Sequence, residues 1–313
     1  MKVSVIVATK NRPKELATLL LPTLLSQTRP ADQLIFVDQS SDEATKNVVE
    51  AFAARVDSQK IPKTEFLYLY ETNHIGAASA RNSGIEKASG DVLLFLDDDV
   101  VLEPDFMQEL LAIYERFPET GGVSGVITNY GRPSLPARIM TRLFWVGPFH
   151  DERQPIYWNA DQLRDHEPFR VRRFGAGLMS VKRAVLDCDR FDNHYRGAGA
   201  EDVELSWRLS ERGPLLMTPK ARLEHVRTVT GRPKEHWLGS DALQTHYLYG
   251  RIWNRGFTNR LCFAWLNLGY AVLATLASLR HFSIEPWRSV LRGRKSGREF
   301  GRVNRDTGPI GAG

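Results

Sequence analysis

The sequence predicts an α/β fold: a mostly parallel sheet with helices on both faces, followed by a C-terminal helical extension. Three features lead there. Short apolar runs rich in β-branched residues, VSVIVA, LIFV and VLLFL, suit central strands buried on both faces. Segments with apolar residues three and four apart lie between them, so strand and helix alternate. Beyond residue 230 the strand signal gives way to long helical stretches. The 313 residues suffice for one large domain with an appendage, which we divide into 1–230 (halves 1–103 and 104–230) and a tail, 231–313.

Val3–Ala8 is the first strand. Pro13 opens a helix carried by Leu16, Leu19, Leu20, Leu24 and Leu25, which Pro22 kinks or restarts. Leu34–Val37 is the second strand; Ala44, Val48, Ala51 and Phe52 place a helix over 43–54. Phe66–Tyr70 is the third strand, an alanine-rich helix over 75–88 ends at Ser89-Gly90, and Val92–Leu96 is the fourth strand. Pro104-Asp105 starts a helix over 106–117 that Pro118 stops. Strands are expected over 121–127 and 174–181, and a helix over 202–211. Residues 128–170 show no clear period and read as a long loop, usually a functional feature in a compact domain.

Leu261–Leu279 carries no charge and is bracketed by Arg260 and Arg280. Its length is at the threshold for crossing a bilayer; a helix lying in the interface, or one packed on the rest of the chain, fits as well. Arginines on both sides give no orientation. From Arg280 to Arg305 eight Lys or Arg face only Glu285 and Glu299, a local excess within a net charge of +5. That balance suits an anionic membrane surface, and no nucleic-acid partner is expected. The two cysteines, Cys188 and Cys262, form no metal spacing or disulfide framework, so a reducing compartment is expected. The opening apolar run lacks the length and cleavage site of a secretion signal. The expected location is the cytoplasm, at the cytoplasmic face of the membrane.

Asp38 and Asp97-Asp98-Asp99 fall at the carboxyl ends of strands, where open α/β sheets hold ligands. Extended backbone through 97–99 would turn Asp97 and Asp99 to one side and Asp98 to the other. Two such carboxylates form a hard-oxygen site suited to Mn2+ or Mg2+, with positions left for phosphate oxygens. The alternative is a solvated acidic turn or a calcium loop, which the buried strand before it disfavours.

VSVIVATKNRPKEL, LIFVDQSSD and NHIGAASARNSGIEKASGDVLLFLDDDV, in this order, resemble the family 2 glycosyltransferases; GAGLMSVKR and GAEDVELSWRL continue the likeness more loosely. The resemblance covers about two thirds of the chain. It implies the GT-A fold, a Rossmann-like sheet, and an inverting transfer of sugar from a nucleotide-sugar, UDP- or dTDP-linked, to an acceptor hydroxyl of a saccharide; a lipid-linked acceptor is suggested only by the apolar and basic tail. It places the nucleoside at Ala8, Thr9, Asn11 and Arg12, and the base at Asp38. It brings Asn73 and Arg81 to the nucleotide, makes Asp99 with Asp97 the metal ligands, and lets Asp97 or Asp98 reach ribose or donor sugar. Asp38 read alone serves equally as a helix N-cap, and Arg81 as a surface helix residue.

Transfer also needs a base for the acceptor hydroxyl. Glu201-Asp202, opening a helix, resembles the family's ED element, with Asp202 as base and Glu201 on the acceptor; an acidic first turn favoured by the helix dipole is the alternative. Some relatives use a histidine at the place of His225 as a further metal ligand, with Arg227 and Arg232 near phosphate; a lone histidine is otherwise structural or exposed. No Gln-x-x-Arg-Trp element is present, which favours single addition over processive synthesis. The rivals are a sugar nucleotidyltransferase, which lacks support because TKNRPKEL has no glycine-rich phosphate loop, and a non-catalytic nucleotide-sugar-binding module at the membrane.

Overall fold

The structure is a computed structural model describing residues 1–58, 64–72, 76–130, 134–146, 160–175, 177–187, 189–195, 199–226, 237–253 and 256–303. It divides into two compact units. The first comprises Met1–Tyr130, Trp158–Asn193 and Leu205–Arg232. The second comprises Gly131–Tyr157, His194–Glu204 and Pro233–Gly313, so the division falls within the helix Glu201–Ser210.

Among the described residues the first unit is built on nine strands: β1 Val3–Thr9, β2 Gln33–Asp38, β3 Glu65–Tyr70, β4 Val92–Leu96, β5 Val100–Leu102, β6 Gly122–Ile127, β7 Phe169–Val171, β8 Leu178–Lys182 and β9 Leu215–His225. Their order is β3-β2-β1-β4-β8-β6-β9-β5, with β7 also paired to β9. The first four in that order are parallel; β8 joins β4 antiparallel, and beyond it the sheet is mixed.

Strand residues alternate between two buried clusters, as the period of two requires. Val3, Val5, Val7, Leu94 and Leu96 enter one, with Leu16, Leu20, Val49 and Phe106 from helices. Ile6, Ile35, Leu93 and Phe95 enter the other, with Ala78, Ala80 and Ile85 from the helix Ala77–Lys87. That helix approaches closely because residue 84 is glycine: a Cβ there would lie 2.4 Å from the Ile6 side chain. Near Pro22 the helical run Pro13–Glu15, Leu16–Leu20, Leu21–Leu25 relaxes into a π turn, where the Leu21 N–H reaches the Leu16 carbonyl.

Several features depart from the sequence reading: β5 and β7 have no expected counterpart, and Leu135–Met140 and Thr141–Val146 are helical within the stretch read as a loop. The strand expected over 174–181 begins only at Leu178. Asp98 and Asp99 form a turn instead of extended backbone. The longest strand, β9, has no expected counterpart, because Pro219 and Lys220 interrupt its pattern. Its pairing with β6 jumps from Ser124 opposite Met217 to Val126 opposite Arg222, which accommodates Pro219. Gly125 permits the jump, since a Cβ there would lie 2.2 Å from the Ala221 carbonyl oxygen.

In the second unit the helices Trp237–Leu248, Gly256–His281 and Glu285–Val303 share a core of Leu238, Ala242, Leu266, Tyr270, Ala274 and Val290.

Candidate active site

Asp97–Asp99 sit where β4 ends, and the chain then returns as β5. β5 runs antiparallel to β9 and sets Val100 opposite His225. Pairing continues one step further, with the Val226 N–H donating to the Asp99 carbonyl at 3.0 Å. The last residue of the longest strand is therefore fixed beside an acid 126 positions earlier in the chain.

Each acid has a different environment. Asp98 is buried, accepting from Thr9 Oγ1 at 2.8 Å and from the Arg12 guanidinium at 2.7 Å. Burial pushes its carboxyl up to about 6, against the pull of Arg12 and Thr9. Arg12 also lies 3.3 Å from Asp99 Oδ2. Burial opposes the charge on Arg12, but the two carboxylates outweigh it and hold its pKa above the ordinary value. Asp97 is partly exposed and accepts from Arg81 at 3.2 Å. Arg81 is buried and stands over the Phe191 ring.

Asp99 is 1% exposed. His225 Nε2 lies 3.0 Å from its Oδ1, yet this buried nitrogen has no hydrogen-bond partner among the described residues. The other ring nitrogen stands 3.4 Å from the Tyr130 hydroxyl, and Asn129 holds the His225 backbone through both its amide groups. One ligand atom each from Asp97, Asp99 and His225 lie within 4.8 Å of one another. Two carboxylates and an imidazole whose buried nitrogen lacks a partner fit a divalent cation of the Mn2+ or Mg2+ type.

One strand over, Asp38 is fully buried. Its Oδ1 accepts from the Ser40 N–H at 2.8 Å and its Oδ2 from the Tyr68 hydroxyl at 2.7 Å. Tyr68, whose hydroxyl pKa burial and this bond raise, escaped the sequence reading because EFLYLY looks simply apolar. Ala8 pairs with Val37, and Asn11, at φ 55°, accepts the Ser41 N–H at 2.9 Å. Asn82, beside Arg81, pins the backbone of Phe191. Thr9, Arg12, Arg81, Asp97, Asp98, Asp99 and His225 thus form one connected rim, with Asn11 and Asp38 anchored next to it. Asn73, Arg227 and Arg232 lie outside the described residues.

Glu201 and Asp202 belong to the second unit, where they open the helix Glu201–Ser210. Glu201 is buried and accepts the Ala200 N–H at 2.9 Å; Asp202 accepts the Val203 N–H at 2.7 Å. Burial, then the charges of Glu201 and Asp202, push the nearby Tyr195 hydroxyl up.

The family model described as Glycosyl transferase family 2 matches residues 4–181. A validoxylamine A glucosyltransferase of Streptomyces hygroscopicus subsp. limoneus is 28% identical over 281 residues, which cover 81% of this chain and 60% of that one. The chain thus spans less than two thirds of that relative's length. Among solved structures, the mannosyltransferase PcManGT of Pyrobaculum calidifontis, in complex with GDP-Man and Mn2+, superimposes with a TM-score of 0.59 at 17% identity, covering 97% of this chain and 86% of that one. GalNAc-T7, solved with UDP, GalNAc and Mn2+, gives 0.56 at 18% identity, covering 80% and 50%. At these identities the structural likeness is one of fold.

Proposed function

This chain belongs to glycosyltransferase family 2, with the GT-A fold, and we propose that it is an inverting, metal-dependent enzyme adding one sugar from a UDP- or dTDP-linked donor to an acceptor hydroxyl. The observation that carries this reading is the Asp97, Asp99 and His225 group, in which the buried His225 Nε2 lies 3.0 Å from Asp99 Oδ1 and makes no hydrogen bond among the described residues. Two fold neighbours hold UDP or GDP-Man together with Mn2+, which supports the same reading.

In this reading the acceptor oxygen forms a bond to the anomeric carbon while the bond from that carbon to the diphosphate oxygen breaks. A nucleoside diphosphate leaves, and the acceptor proton passes to a carboxylate. A divalent cation bound by Asp97, Asp99 and His225 would offset negative charge on the leaving diphosphate. Arg81 holds Asp97 in place, and Thr9 and Arg12 turn Asp98 away from solvent. Asp38, oriented by Tyr68 and Ser40, is assigned to the nucleobase. Asp202 is assigned as base and Glu201 as acceptor ligand on their motif alone.

The test is product analysis on purified protein with UDP- and dTDP-sugars, Mn2+ and a panel of saccharide acceptors. Release of a nucleoside diphosphate and a product of inverted anomeric configuration support the reading. Release of inorganic diphosphate, retained configuration, or full turnover in excess chelator would overturn it.

A further inference from the structure

The helix Gly256–His281 is apolar on two faces, and only one is covered. Cys262, Leu266, Gly269, Tyr270 and Ala274 face the unit's own core. On the other side Phe257, Leu261, Leu268, Leu276 and Leu279 are exposed, Leu279 by 67%. Phe282 and Ile284 extend the stripe into the turn that follows, Phe282 being 97% exposed. A surface helix normally turns polar residues outward. This one has no charge between Arg260 and Arg280, and among the described residues nothing covers the stripe.

The next helix, Glu285–Val303, supplies the complementary chemistry. It exposes Arg288, Arg292, Lys295, Arg298 and Arg302. An apolar stripe running into a cationic helix matches an anionic bilayer surface, where acyl chains take the first and phosphate headgroups the second.

The packing of this helix favours lying on the bilayer over crossing it. The 26-residue helix would be about 39 Å long, enough to span. However, its covered face is bound into the neighbouring helices. Tyr270 and Thr245 share a hydroxyl contact of 2.8 Å, Asn267 meets His246 at 3.0 Å, and Leu266 and Ala274 join Val290 in the core. An upright helix would draw the arginine-bearing Glu285–Val303 into hydrocarbon, which excludes such charges. We propose that Gly256–His281 lies in the plane of an anionic membrane, with Phe257, Leu261, Leu268, Leu276 and Leu279 inserted and the Glu285–Val303 cations on the headgroups.

This inference does not rest on the transferase reading, and the experiment keeps the two apart. The full chain is floated with vesicles of phosphatidylglycerol and phosphatidylcholine, and with phosphatidylcholine alone; donor turnover on a soluble acceptor is measured on the same preparations. We expect binding to anionic vesicles, weak binding to neutral ones, and release by a carbonate wash at high pH. Leu268→Glu/Leu276→Glu lowers binding to anionic vesicles by at least about tenfold, since charge at the apolar boundary opposes insertion. Arg288→Glu/Lys295→Glu lowers the anionic preference by about fivefold or more per side chain. Unfolding midpoints check that both variants fold; Leu276→Gln replaces the double variant should it not. Absence of wild-type binding, undiminished binding of the folded leucine variant, or retention after carbonate overturns the proposal. So does a wild-type dimer in light scattering that the leucine variant splits while vesicle binding is absent, which would make the stripe a seat for a second copy.

Discussion

His225 Nε2 stands 3.0 Å from Asp99 Oδ1 without a hydrogen bond between them, and both atoms belong to buried or nearly buried groups. The proximity is built into the backbone: β5 leaves the acidic turn and pairs at once with the end of β9. A nitrogen and an oxygen so placed form an ion pair when the imidazole is protonated, and serve as two ligands of one centre when it is neutral. Asp97, reaching the same space, favours the second.

If the three residues are ligands, their removal has graded effects. Asp99→Asn is expected to lower metal-dependent donor turnover by roughly 100-fold or more, since a catalytic cation supplies several kcal/mol to the transition state. His225→Ala is expected to raise the Mn2+ concentration for half activity by at least about tenfold, because even outer-shell partners of metal ligands are worth that much. Titrating Mn2+ into chelator-treated enzyme checks both. Unchanged half-saturation in His225→Ala would remove the histidine from the site.

Arg12 bridges Asp98 and Asp99, so it serves the acids as a built-in cation. In metal-free protein, Arg12→Ala leaves the buried Asp98 with a weaker set of partners and is expected to destabilise by about 1–3 kcal/mol. Saturating Mn2+ is expected to offset the part of that loss felt at Asp99, the carboxylate that Arg12 shares with the proposed metal ligands. Thermal unfolding with and without Mn2+ measures the difference. Equal losses in both would show that Arg12 and the metal do not share Asp99.

A seam of glycines in the second unit gives a stability series. A Cβ on Gly293 would lie 2.1 Å from the Gly239 carbonyl oxygen, and one on Gly297 would lie 2.3 Å from that of Leu243. On Gly301 the nearest atom, Gly250 Cα, is 3.2 Å away. Alanine gains up to about 1 kcal/mol of helix propensity at each position. Backbone clashes reverse the sign at the first two, where about 1–3 kcal/mol is lost. Gly301→Ala is expected near neutral. Unfolding midpoints of the three variants test the order.

Much of this arrangement is legible in the sequence, and the gaps have physical causes. β4 is readable to its ends because five buried residues run straight into acids. β1 and β2 are readable to within one residue at each end from their apolar β-branched runs, which places Thr9 and Asp38 at the rim. The turn at Asp98 is not, because it is set by Thr9 and Arg12, which lie 89 and 86 positions away. β9 is hidden by Pro219, tolerated only where Gly125 lets the pairing shift. With β9 unseen, His225 reads as a lone histidine, and only the resemblance marks it. Tyr68 serves Asp38 across a strand boundary, a relation that no local pattern carries.

His246 gives a pH prediction in which the sign can be worked out. Burial, assisted by Arg298 and Arg294 and opposed by the Asn267 hydrogen bond, pushes its imidazole down to about 4 from 6.5. The folded protein therefore keeps His246 neutral where the unfolded chain takes up a proton. The stability it contributes is fully present above pH 6.5 and is lost as pH falls from there toward 4, at a limiting slope of about 1.4 kcal/mol per pH unit. Asp98 and Asp241, pushed up to about 6 by burial, work in the opposite direction: their protonated forms favour the fold at low pH, and that advantage fades as pH rises through 6. Wild type alone would show only the sum. The difference between wild type and His246→Asn isolates the histidine, because both proteins keep the two acids. That difference is expected to be roughly constant above pH 7 and to shrink by about 1–2 kcal/mol between pH 6.5 and 5, measured by denaturant midpoints. A difference independent of pH would mean that His246 is protonated in the folded protein as readily as in the unfolded chain.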